Sequence, residues 1–139
     1  MYQLYTTLEV KLGVLFALIW GILNLLLGGI DAPIMALSAL ILLDFITGVA
    51  SACKRGELCS AKGAKGLFKK AGVFGCIMIA VMLDTAMATH TFRGMVISGF
   101  AIIEALSLLE NIDKLGYGEY IPPFLRRKIE QLQDQKGMR

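Results

Sequence analysis

Charge is scarce in this sequence. Asp, Glu, Lys and Arg make up 18% of its 139 residues, whereas 56% are hydrophobic. A soluble domain of this size carries more charge, about 25%. Histidine occurs once and cysteine three times. Cys53 and Cys59 have no histidine close in sequence, and His90 is expected on the other side of a membrane, which argues against a zinc site. The thiols of Cys53, Cys59 and Cys76 are expected free, as in a reducing compartment. The GxxxxGK[ST] order of a phosphate-binding loop is also missing.

What is abundant is apolar sequence, and it is gathered into four blocks, about 12–27, 33–52, 71–89 and 94–109. A helix crossing the ~30 Å hydrocarbon layer needs roughly 17–25 residues. Two blocks reach that length outright and two do so with their flanks. The expected fold is therefore all-α: an integral membrane protein with four transmembrane helices, at about 12–30, 33–52, 71–89 and 94–112. A basic loop over 53–70 and a C-terminal amphipathic helix at about 122–133 complete one membrane domain. Four spans leave no room for a soluble catalytic domain. The first block, preceded by Lys11, resembles a signal peptide, but residues 28–33 read as a turn and not a cleavage site.

The chain is organised around 34–70. An apolar run takes in an acid at Asp44, ends at Lys54 and Arg55, and gives way to Lys62, Lys65, Lys69 and Lys70. Of fourteen Lys and Arg, six lie in 53–70 and six beyond Asn111; Lys11 and Arg93 are the others. Positive residues of short loops stay in the cytoplasm. Both termini are thus expected there, with only Arg93 outside. The basic loop is expected to meet anionic lipid headgroups through Lys54, Arg55, Lys62, Lys65, Lys69 and Lys70. Nucleic-acid binding is the rival reading, and the shortage of aromatics beyond Phe68 disfavours it.

Small and polar residues mark helix faces. Gly13, Ala17, Gly21 and Asn24 share one face of the first span, where small side chains let backbones approach in lipid. Packing within the protomer is the expectation, and subunit association the alternative. Asp44, Thr47, Gly48 and Ser51 form a stripe on the second span. Asp84 lies on the third, and Glu104, Ser107 and Asn111 share a face of the fourth. A carboxylate at mid-depth costs ~2.5–3.5 kcal/mol on insertion scales. No Lys or Arg is expected at mid-depth to pair with Asp44, Asp84 or Glu104. They are left to meet Ser, Thr and Asn across helices, or to line a wet lumen. Asp31, in the first turn, is expected to face outward.

Several of these motifs, in this order, resemble the phage lysis and toxin-secretion holin family. They are 44–48 (Asp-Phe-Ile-Thr-Gly), the Ser60…Lys62-Gly63…Lys65-Gly66…Lys69-Lys70 pattern, Asp84, 104–111 (Glu-Ala-Leu-Ser-Leu-Leu-Glu-Asn), and Gly116 followed by Ile121-Pro122-Pro123. The family often has Asn before that first Glu and Gly after it; here these are Ile103 and Ala105. The resemblance implies a homo-oligomer of the bacterial cytoplasmic membrane that opens lesions and releases an endolysin or a large toxin, without catalysis or cofactor. A small ion channel or proton-coupled transporter is the alternative, though no internal repeat is evident. A membrane-anchored regulator with no pore is a third reading.

Overall fold

The structure is a computed structural model that describes residues 7–57, 60–127 and 131. Four helices follow one another: α1 Thr7–Leu27, α2 Ala32–Lys54, α3 Ser60–Met87 and α4 Phe92–Ile112. All four carry segments long and apolar enough to cross a membrane. A π-helical turn, Asp113–Tyr117, and a 3-10 turn, Gly118–Tyr120, follow α4. Residues 123–127 begin another helix, and most of the expected amphipathic helix lies outside the described residues.

The expected loop over 53–70 is much shorter in the structure. Helix α3 starts at Ser60, so Lys62, Lys65, Lys69 and Lys70 are helical. Small residues (Ala61, Gly63, Ala64, Gly66) separate the lysines, and their low hydropathy, not a loss of helix, makes this stretch look like a loop.

The hydrophobic core is thin. It joins Leu27 of α1, Ile34 and Leu37 of α2, Val73 and Ile77 of α3, and Ile97 of α4. The closest packing is between α2 and α4, with α3 laid mainly on α4. In α1 only Leu27 is buried, at the C-terminal end. Phe16, Leu18, Trp20 and Leu25 are exposed, Trp20 by 59%. Apolar surface of this extent is costly in water but costs nothing against lipid tails, which are as apolar as Leu.

One end of the bundle gathers both short connections and is fastened by two residues. Arg93, at the start of α4, donates Nε to the Leu27 carbonyl (2.7 Å) and Nη2 to the Gly29 carbonyl (2.8 Å). Its guanidinium also grips Asp31 with both oxygens engaged, at 2.8 and 2.9 Å. Asp31 caps α2 as well, accepting from the Ile34 amide at 3.3 Å. The charge expected to face outward is therefore tied down by the Arg93 guanidinium. Gly28 has φ +68°, and a Cβ there would lie 3.0 Å from Val81 and 3.1 Å from Arg93. Only glycine combines that backbone with so close an approach.

Asp84 fastens the second connection. Its Oδ1 accepts from Thr89 Oγ1 (2.7 Å) and from the amides of Thr91 (2.9 Å) and Phe92 (3.0 Å). Its Oδ2 accepts from the Arg93 amide at 2.9 Å. These amides open α4, where no preceding turn supplies acceptors. The Thr89 amide returns to the Asp84 carbonyl (2.9 Å), closing α3 with Ala88 in a left-handed conformation at φ 50°. The other end holds the α2–α3 connection and the residues after α4, where Lys54 Nζ donates to the Leu115 carbonyl.

Hydrogen bonding to Arg93 holds the Asp31 carboxyl below its ordinary value of 3.8. A group lowered in this way stabilises the fold above its ordinary value and ceases to as pH falls through the lowered one. Thermal unfolding in detergent at pH 7 and about pH 3 should therefore show a smaller acid-induced loss for Asp31→Asn than for the parent. Equal losses would detach Arg93 from Asp31.

Candidate functional site: a bridged acidic pair inside the bundle

Asp44 stands near the middle of α2, ~18 Å along the helix from Ala32 and ~15 Å from Lys54. Glu104 is ~18 Å along α4 from Phe92. Both are 7% exposed. The two helices lie against each other, so their acids meet at the same depth. Between them lies Lys70 of α3. Its ammonium donates to Asp44 Oδ2 at 2.7 Å and to Glu104 Oε2. The side chain of Lys70 is only 14% exposed. The absence of a mid-depth partner, expected from the sequence, is thus corrected: a cation classed with the surface lysines reaches inward and bridges the pair.

Asn111 of α4 completes the arrangement. Its Nδ2 donates to Asp44 Oδ1 at 2.9 Å and to the Asp44 carbonyl at 3.3 Å. Asp44 thereby has a donor on each oxygen. Gly48, one turn on, makes the approach possible: a Cβ there would lie 3.4 Å from Asn111 Nδ2. With both acids ionised, Asp44, Glu104 and Lys70 sum to a charge of −1. A cleft of about 260 Å³ runs from Arg55 and Glu57, at the basic end, past Gly63 and Gly66 to Asp44 and Lys70.

The remaining expected residues fall elsewhere. Thr47 turns back on its own helix, donating Oγ1 to the carbonyls of Leu43 (2.8 Å) and Asp44 (3.1 Å). Asp84 fastens the opposite end of the bundle. Asn24 accepts from the Ile30 amide at 3.0 Å and finishes α1. Ser107 is half-buried on α4, and Ser51 is buried with Arg55 donating to its hydroxyl at 3.2 Å. Lys54, Arg55, Lys65 and Lys69 are exposed, and Lys62 lies in the first turn of α3. Gly13, Ala17 and Gly21 are exposed, and a Cβ at Gly13 or Gly21 would meet nothing within 4 Å. Among the described residues nothing packs on that face, and α1 rests on α3 near its C-terminal end, where Leu27 is buried.

Lys70 carried a partial signal. It is spaced 3, 7, 10 and 14 residues from Val73, Ile77, Ala80 and Asp84, all buried. That is a helical face, and Lys70 is its first member. Lys65 falls off it, but Lys69, spaced 4, 8, 11 and 15 residues from the same four, flanks the face on its other side, so spacing alone does not single out Lys70. Arg93 had no comparable signal.

These features define a four-helix membrane protein whose polar groups serve chiefly to fasten helices to one another. The chain belongs to the bacteriophage holin family, whose family model matches residues 21–134. Among its relatives is an uncharacterized protein of Clostridium perfringens strain 13, 36% identical over 132 residues, 94% of this chain and 95% of the relative. A 14.9 kDa protein in the nagH 3′ region of Clostridium perfringens is 36% identical over 125 residues, 84% of this chain and 93% of the relative. A Listeria monocytogenes protein is 35% identical over 121 residues, 86% of this chain and 83% of the relative. No solved structure matches this chain.

Gly48→Leu should drive Asn111 from Asp44 and destabilise the bundle by about 1–3 kcal/mol. Asn111→Ala should cost about 1–2 kcal/mol. Since both act on one contact, the double variant should lose clearly less than the sum in thermal unfolding. Full additivity would mean that Gly48 and Asn111 act separately.

Proposed function

We propose that this protein is a holin of the bacterial cytoplasmic membrane. It accumulates there with both termini in the cytoplasm, associates with copies of itself, and opens lesions that release an endolysin or a secreted toxin. No cofactor or catalytic step takes part. The orientation is supported by the placement of charge, since among the described residues Arg93 is the only Lys or Arg at the end that holds the two short connections. At the basic end Lys54, Arg55, Lys62, Lys65 and Lys69 contact anionic headgroups, and nucleic acid has no part.

The observation that carries this reading is the state of α1. It is a membrane-length helix whose Gly13, Ala17 and Gly21 face is covered by none of the described residues. Small residues at such spacing let a second backbone approach closely, and close packing drives helix association in lipid. A pump or transporter of one chain gains nothing from leaving most of a helix unpacked. A protein that assembles on demand requires such a face.

Two measurements test this. Induced expression in a bacterium should halt respiration abruptly after a delay. Gly13→Cys and Gly21→Cys variants should form disulfide-linked dimers in membranes before that moment. Cells that keep respiring at full expression would point to a selective channel or transporter and contradict the lesion. Lysis without cross-linking at either position would move the assembly face away from α1.

A further inference from the structure

Lys70 enters the acidic pair from an unusual direction. Counting along α3, its Cα lies ~26 Å from Met87, whereas Asp44 and Glu104 lie ~18 Å from the starts of α2 and α4 at the same end of the bundle. The lysine is therefore rooted nearer the basic end and extends its stem into the bundle to reach the acids. A lysine so placed has a second resting position, with its ammonium turned back to the interface, as long cationic side chains near helix ends adopt. The route between the two is open: the cleft from Arg55 and Glu57 to Asp44 is bordered on α3 by Gly63 and Gly66, which have no side chain to block it. Helix α3 also packs much less on α2 than α4 does, so little besides Lys70 ties it to Asp44.

We propose that Lys70 is a removable counter-ion that keeps the resting bundle closed to water and ions. While its ammonium bridges Asp44 and Glu104, the cleft ends at the pair and α2, α3 and α4 are pinned at mid-depth. When it withdraws along the cleft, two carboxylates remain side by side in an apolar interior. Like charges so placed repel and demand solvation, so water follows the ammonium's path and the α3 contact with α2 opens. The groups facing the pair are Lys70 from α3 and Asn111 from α4, with Arg55 and Glu57 further along the cleft.

The inference concerns the single protomer and stands apart from the lesion reading, because its test uses vesicles in which no cell is lysed. The full chain is reconstituted in vesicles of phosphatidylglycerol and phosphatidylethanolamine, and potassium leak is measured. Lys70→Met removes the ammonium at similar length. The triple variant Lys70→Met, Asp44→Asn, Glu104→Gln removes the charges together. Lys70→Met should leak roughly tenfold faster than the parent, since two carboxylates left without their cation repel each other and draw in water. The triple variant should return close to the parental rate. A Lys70→Met protein that inserts and leaks no faster overturns the proposal. So does a triple variant as leaky as the single one, which would make the lysine stem, and not its charge, the important part. If Lys70→Met fails to insert, a triple variant that inserts and stays tight supports charge compensation; one that also fails overturns it.

Discussion

The fold depends on a requirement of electrostatics: a carboxylate inside lipid must find a partner inside the protein. Asp44 and Glu104 meet it through one ammonium and one amide. The consequence is geometric. Lys70 bonds both acids only if α2, α3 and α4 lie together with these residues at one depth. The apolar contacts cannot enforce this alone, since Leu, Ile and Val on a helix surface are as content with acyl chains as with each other. A thin apolar core with a bridged acidic pair at its centre is what such a medium favours.

The second polar assembly serves a different end. Asp84, Arg93 and Asp31 use their oxygens and N–H groups on backbone, closing two connections and starting two helices. Every group there has an architectural task. The mid-depth cluster is built otherwise: its lysine reaches it through a cleft, and its formal charge does not cancel. One assembly holds the hairpins together, and the other holds the helices in a particular relation. Helix α1 joins the second assembly only at its C-terminal end, through the Leu27 carbonyl's bond to Arg93, and its flank is left uncovered by the described residues.

Much of this was legible in the chain. Four apolar blocks separated by turns, with cations at one end, specify the spans because length and hydropathy suffice for membrane helices. Asp44 and Glu104 stand out because an acid in an apolar run has few structural explanations. The partner was harder to read. Lys70 sits beside Lys69 in a cationic stretch, and neighbouring residues on a helix point about 100° apart. Extending the buried phase of α3 back from Ile77 brings Lys69 and Lys70 to opposite edges of the same face, and only the position of Asp44 and Glu104 chooses between them. The packing partner of α1 is hard to read for a related reason. Spacing shows which residues share a face, but not whether another helix of the same chain reaches it. Asp84 was seen as a membrane acid, yet its work is at the helix end, because α3 stops three residues later.

The most direct test is a distance in the membrane itself. With lysine Nζ labelled with nitrogen-15 and the carboxyls of Asp and Glu with carbon-13, solid-state NMR in lipid bilayers measures the contacts of Lys70, assigned by comparison with Lys70→Met. Direct contacts from its ammonium to the carboxyls of both Asp44 and Glu104, protected from water exchange, are what the bridged bundle requires. An ammonium in contact with phosphate and water, and distant from both acids in the resting protein, would contradict it.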